Sequence, residues 1–263
     1  MAEPHVIYEK GDGIATIALN RPESLNAYSP EMRAGIARAI DDIADDVGVK
    51  VMIITGRGRG FCSGQDMKLR LSQNPADVGL GERYRLSPAG WLAQRINDLS
   101  KPSIAAVNGV AAGGGFGLTL ACDIRIASEN ARFTAGFVRR ALTVDTGLSY
   151  FLPKLVGMSR ALELALTGDV IDAAEALRIG LVNRVVPHEK LMDEARALAA
   201  RLAKGPPLAI QITKRAMYRA QTMTLPEALE HETYGQQICI ASEDFEEGRK
   251  AFVEKREPVF KGR

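Results

Sequence analysis

Cysteine, histidine and excess charge are all scarce in this chain of 263 residues, and each scarcity removes a class of function. Cys62, Cys122 and Cys239 are odd in number and far apart. They lack the paired spacing of a zinc site or redox dithiol, so no metal is expected and a reducing, cytoplasmic location fits best. The only histidines are His5, in a leading strand, and His188 and His231, in the helical C-terminal part, which gives a Ser-His-Asp arrangement poor support. Lys and Arg total 34 against 32 Asp and Glu, a net charge of +2 that is too balanced for nucleic-acid binding. No run approaches the ~20 apolar residues of a membrane span, and Met1 to Lys10 has no secretory-signal pattern. Motifs of the form G-x-x-x-x-G-K, H-E-x-x-H and G-x-S-x-G are also missing. What remains is 46% hydrophobic and 25% charged, the balance of a soluble globular chain with a sizeable core.

Periodicity supplies the elements. Two apolar runs, His5 to Glu9 and Ile14 to Leu19, flank Gly11-Asp12-Gly13 and predict a hairpin. Met32, Ile36, Ile40 and Ile43 recur at helical spacing after Ser29-Pro30, a cap followed by a helix start. Val51-Met52-Ile53-Ile54 reads as a buried strand, and the helix from Trp91 to Leu99 leads to a second strand, Ser103 to Val107. Ala112 to Ala121 is expected to be a helix of small residues, and residues 68–88 a long loop bordering a site. Strand and helix alternation over the first part gives an α/β core. From Leu155 onward the period is helical almost throughout, with helices expected at Leu191 to Leu202, Pro207 to Tyr218, Leu225 to Ile240 and Asp244 to Glu254.

Two glycine-rich places each follow a strand: Gly56 to Asp66, and Asn108 to Gly117 with three consecutive glycines at Gly113-Gly114-Gly115. Glycines at a helix start let a ligand approach the backbone closely, and the free amides and helix dipole there favour negative charge. Two such amide sources can grip one developing oxyanion. Tight turns and close helix packing explain such glycines equally well.

Taken together these segments resemble the crotonase superfamily of enoyl-CoA hydratases and isomerases. The matching blocks are Asn20-Arg21-Pro22 with Leu25-Asn26-Ala27, then Gly60 to Asp66, then Ala105 to Asp123, then Ala251 to Arg256, in family order and nearly end to end. The resemblance implies an α/β fold, a crotonase-like spiral of β-β-α units over residues 1–200. It also implies a helical C-terminal trimerisation region over 201–263, and a homotrimer or a hexamer built as a dimer of trimers. It implies an acyl-CoA substrate with no separate cofactor, coenzyme A being part of the thioester. Its oxyanion hole falls on the amides of Gln65 and Gly114. Its CoA-binding positions fall on Ser24, Leu25, Cys62, Ser63, Asp66 and Met67, with Phe252 and Lys255 from the C-terminal helix. Tyr84, Trp91 and Phe137 are expected to shape the acyl pocket, and an aromatic or bulky acyl group would suit them.

The departure from the family pattern is chemical. Its hydratases carry two glutamates that orient and deprotonate water, and the matching positions are Gly117 and Phe137, neither of which titrates. A different acid, Asp145, stands where the single-aspartate isomerases of the superfamily, phenylacetate-pathway ring isomerases among them, carry their sole catalytic carboxylate. Asp145 also suits a cap for the helix running to Leu155. One carboxylate suffices for a 1,3 proton shift, and partial burial among Val144, Phe137 and Leu148 would raise its pKa. The competing expectations are a hydratase with unorthodox water activation and a non-catalytic acyl-CoA-binding protein. A third, a hydrolytic dehalogenase, would need a histidine on the Trp91 to Leu99 helix, which has none.

Overall fold

The computed structural model describes residues 3–67 and 88–263, so most of the expected loop at 68–88 lies outside the described residues. Strands β1 (Val6–Gly11) and β2 (Ile14–Leu19) form the predicted hairpin. Its turn is Asp12-Gly13, both at positive φ (53° and 76°), as a two-residue turn matched to strand twist requires. Helix α1 (Pro30–Asp45) starts at Ser29, whose Oγ accepts from the Met32 N–H at 3.0 Å, and it buries Met32, Ile36, Ile40 and Ile43.

From there the chain alternates between two sheets. Strands β3 (Val51–Gly56), β5 (Ser103–Val107) and β7 (Ile124–Ser128) join β1, β2 and β10 (Arg184–Val186) in a six-stranded sheet ordered β1-β2-β3-β5-β7-β10. All its pairings are parallel except the hairpin. After each of β3, β5 and β7 a short strand steps into a second sheet: β4 (Gly60–Cys62), β6 (Val110–Ala112) and β8 (Arg132–Thr134), closed by β9 (Ile171–Asp172). Helix α2 (Pro88–Asp98) precedes β5 and α3 (Gly114–Ala121) follows β6, which produces the spiral of β-β-α units. The expected helix from Ala112 therefore starts two residues late, because Val110–Ala112 pairs as a strand before Gly113 turns the chain.

Parallel strands covered on both faces read as continuous apolar runs. Met52 and Ile54 enter the main core with α1, α2 and α3, while Val51 and Ile53 face the opposite layer, where α7 (Leu191–Ala203) packs Leu191, Ala195 and Leu198 against them. Between β8 and β10 lie α4 (Leu148–Val156), α5 (Met158–Thr167) and α6 (Ala173–Arg178). The boundary expected at residue 200 falls inside α7. The terminal helices are α8 (Pro207–Ala220), α9 (Leu225–Ile240) and α10 (Glu243–Glu254). Asp123 ties this arm to the sheet: it accepts from Lys214 Nζ and from the Tyr218 hydroxyl, each at 2.8 Å, and from Ser103. No helix among the described residues is long and apolar enough to cross a membrane.

A buried ammonium closes α1. Lys101 Nζ donates to the carbonyls of Ile43, Ala44 and Asp46, the end of a helix whose last carbonyls have no partner within it. Lys101→Met should cost about 2 kcal/mol, since it leaves buried acceptors unsatisfied. In urea unfolding the midpoint should fall with an unchanged slope, and an unchanged midpoint would refute this account.

Candidate active site

The first wall of the site is built by two asparagines. Asn26 Nδ2 donates to the carbonyls of Arg57 (3.0 Å) and Gly60 (2.7 Å), and Asn108 Nδ2 to those of Gly58 (2.9 Å) and Gly60 (3.1 Å). Both clamp the turn from β3 into β4 and so fix where Cys62 to Asp66 runs. Tyr28 then pairs with that segment: its N–H donates to Gly64 O at 2.7 Å, and its carbonyl accepts from Asp66 N at 3.3 Å. Because Tyr28 bonds the residues on either side of Gln65, the Gln65 N–H points to the opposite side of the strand.

The second wall is the start of α3. Gly113 has φ 52° and ψ −121°, a conformation open to glycine, and its N–H donates to Thr134 O at 3.0 Å. Gly114 is the first helical residue, so its N–H has no acceptor within the helix. The two walls touch: a Cβ on Gly64 would stand 2.8 Å from Ala112 O and 3.3 Å from the Gly114 nitrogen. Neither the Gln65 nor the Gly114 amide bonds a backbone acceptor among the described residues. The Tyr28 hydroxyl donates to the Gly114 carbonyl at 3.3 Å, so one buried residue contacts both walls. Burial, then the neighbouring Cys62 and Asp145, pushes this phenol far above its ordinary range, leaving it a neutral donor.

Asp145 sits in the turn seated on α3. Its Oδ1 accepts from the Thr146 hydroxyl at 2.6 Å, and the buried Thr146 holds φ at 54°, a strained setting for a β-branched residue. The Thr146 carbonyl lies against Gly117, where a Cβ would be only 2.6 Å away. The cap expected of Asp145 is not made by its side chain: the α4 N-cap is Gly147, without a side-chain cap bond, and only the Asp145 backbone carbonyl accepts, from Leu148 N. The expected partial burial is also corrected. Asp145 is exposed, because Val144 and Leu148 turn into the core on either side of it.

The remaining expected residues separate into groups. Ser63 donates through Oγ to Ser24 O (3.1 Å) and through N to Leu25 O (3.0 Å), and Asp66 accepts from Arg21 Nη1 at 3.0 Å, so Ser24, Leu25, Ser63 and Asp66 form one rim, with Met67 following Asp66 in the chain. Cys62 is fully buried, with a Cβ on Gly115 reaching within 2.1 Å of its carbonyl. It therefore offers a ligand no side chain. Burial pushes its thiol up to about 12, which makes it packing and not a nucleophile. Phe137 is buried beside Gly113. Trp91 is partly exposed under the Arg95 guanidinium, 4.3 Å from the ring centroid. Tyr84 lies outside the described residues. Phe252, 86% exposed, is on α10 and Lys255 is its left-handed C-cap, and among the described residues no hydrogen bond or ion pair joins them to the rim.

Sequence reasoning missed Tyr28, Arg33 and Thr146. Only Thr146 had a local signal, its place beside Asp145. Arg33 Nη1 donates to Gln65 Oε1 at 3.0 Å from the first turn of α1. A cavity of about 270 Å³ lined by Thr16, Thr55, His188 and Met192, among others, reaches the back of the first wall at Arg57, Gly58 and Asn108 but includes none of Tyr28, Arg33, Gln65, Gly114, Asp145 and Thr146.

The spiral of β-β-α units and the two glycine-rich segments that meet at Gly64 and Gly114 are those of a class of acyl-CoA enzymes. The chain belongs to the enoyl-CoA hydratase/isomerase family of acyl-CoA enzymes, whose model matches residues 9–263. It is 39% identical over 254 residues to a 1,2-epoxyphenylacetyl-CoA isomerase of Escherichia coli, covering 95% of this chain and 96% of that one. It is 36% identical over 266 residues to a crotonyl-CoA hydratase of Syntrophomonas wolfei, covering 99% of each. The crystal structure of an enoyl-CoA hydratase from Bacillus anthracis superposes with a TM-score of 0.93 at 34% identity, covering 98% of this chain and 100% of that one. These matches establish the crotonase fold expected from the sequence.

Proposed function

We propose that this protein is an enoyl-CoA isomerase that moves a double bond by a 1,3 proton transfer. Asp145 takes the proton beside the thioester carbonyl of a 3-enoyl-CoA, and the electron pair spreads into a dienolate. The Gln65 and Gly114 amides hold its oxygen, and the protonated Asp145 returns the proton two carbons away to give the conjugated 2-enoyl-CoA. The observation that carries this reading is the Asp145 turn: a carboxylate uncommitted to helix capping, seated over the first turn of α3, with Gly117 and Phe137 where a hydratase needs acids. Coenzyme A enters as part of the substrate, and no separate cofactor is invoked.

A second reading, hydration with Asp145 activating water, draws support from the exposure of that carboxylate. Product analysis separates the two. The first expects only a moved double bond, and accumulation of 3-hydroxyacyl-CoA as the main product would replace it with the second. Restoring one hydratase acid should not help: a Gly117→Glu side chain would collide with Thr146 and displace the Asp145 turn. Isomerisation should drop with no gain in hydration. A large rise in 3-hydroxyacyl-CoA formation would defeat this.

The C-terminal arm supports self-association. Leu225, Leu229, Ile238, Ile240, Phe252 and Val253 are all exposed on α9 and α10, apolar side chains that association would cover. We expect a trimer or hexamer, in which Phe252 and Lys255 reach a CoA rim. Light scattering giving a mass near 28.4 kDa at micromolar concentration would contradict it.

A further inference from the structure

We infer that Arg33 recognises a carboxylate on the acyl group, so that the substrates are CoA half-thioesters of unsaturated dicarboxylic acids. This rests on the acyl-CoA reading above and names the substrate class of the same site.

Arg33 lies one turn into α1, where its backbone N–H bonds the Ser29 carbonyl and its side chain is half-buried. Its one hydrogen-bonded side-chain partner among the described residues is Gln65 Oε1, at 3.0 Å. A side-chain amide is neutral, and no ion pair joins Arg33 to an Asp or Glu of the described residues, whereas Arg21, Arg95 and Arg139 all have one. A half-buried guanidinium without a counter-charge is costly unless something else gains from it. Burial draws its pKa below the ordinary guanidinium value, yet an arginine remains charged at any working pH.

Its position says what gains. Gln65 contributes the amide assigned to the thioester oxygen, and its side chain holds the guanidinium at 3.0 Å, so the cation is tied to a residue of the acyl site. Tyr28 bonds Gly64 and Asp66 through its backbone and the Gly114 carbonyl through its hydroxyl, which ties the segment leading into α1 to both walls. Among the described residues assigned to the site, Asp145 is the base and Arg33 is a cation not used by the proton transfer. A planar guanidinium fork fits a carboxylate through two parallel hydrogen bonds, and Gln65 keeps the fork oriented before the ligand arrives.

Binding of unreactive saturated thioesters tests this apart from any chemistry. Titration calorimetry would compare succinyl-, glutaryl-, adipoyl- and suberyl-CoA with the alkanoyl-CoA esters of equal length. At the best-fitting length the wild type should bind the carboxylate ester roughly tenfold or more tighter than its alkanoyl partner. Arg33→Leu should erase that preference while leaving alkanoyl affinity and the melting temperature near wild type, and Arg33→Lys should restore part of it. Should Arg33→Leu fold poorly, Arg33→Gln serves in its place. Equal affinity for the two series in the wild type, or a preference that survives loss of the arginine, overturns the proposal and leaves the isomerase reading standing. If no thioester of either series binds, the acyl-CoA reading falls first and takes this inference with it.

Discussion

Asp145→Asn should lower conversion of a 3-enoyl-CoA to the 2-enoyl-CoA by at least about 100-fold, the usual effect of losing a general base. The amide keeps the size of the carboxylate and can still accept from the Thr146 hydroxyl through its oxygen, so the strained turn over α3 should persist. Thioester affinity should hardly change, because the Gln65 and Gly114 amides and the rim from Ser24 to Met67 are untouched. In heavy water the wild type should exchange the proton beside the thioester carbonyl, since an exposed carboxylate trades its proton with solvent between turnovers. The variant should not. Retention of both turnover and exchange would remove Asp145 from the chemistry and return the choice to a hydratase using another base. A wild type that binds thioesters without turning any over would make the chain a binding protein.

The sequence carried the large sheet well, because parallel strands buried on both faces must be apolar in succession, as Val51-Met52-Ile53-Ile54 are. It carried α1 through Ser29 and the Met32, Ile36, Ile40, Ile43 stripe. It did not carry the second sheet, whose strands are two or three residues long and too short to show a period. For that reason the small-residue stretch reads as helix from Ala112, where the chain is still in a strand. Asp145 stands out in the sequence as an acid among apolar residues, but its surroundings differ from that pattern: the apolar neighbours in sequence are buried neighbours facing away, with Thr146 in the left-handed conformation. Tyr28 and Arg33 were invisible because their bonds reach across 86 and 32 residues, to Gly114 and Gln65. Such contacts are written only in the tertiary fold.

Backbone donors escape most mutagenesis, yet the position of Gly114 allows one of them to be deleted. Proline lacks the N–H and is favoured at the first residues of a helix, where that N–H has no intrahelical partner, so Gly114→Pro removes the donor where the helix least needs it. The residue before it, Gly113, already lies outside the helical region that a following proline forbids. The added Cβ would sit 3.1 Å from Thr146 Oγ1 and 3.2 Å from Tyr28 Cε2, tight contacts that ask both side chains to yield slightly. Gly114→Ala supplies the same Cβ and keeps the amide, so it measures that crowding alone. With one of two oxyanion donors gone, Gly114→Pro should turn over a 3-enoyl-CoA about a hundred- to a thousandfold more slowly than Gly114→Ala. The proline ring also fills the space in front of the lost N–H, so the Michaelis constant should rise as kcat falls. Equal rates for the two variants would mean that the Gly114 amide does not hold the enolate, and the hole would have to be sought at another donor of the α3 start.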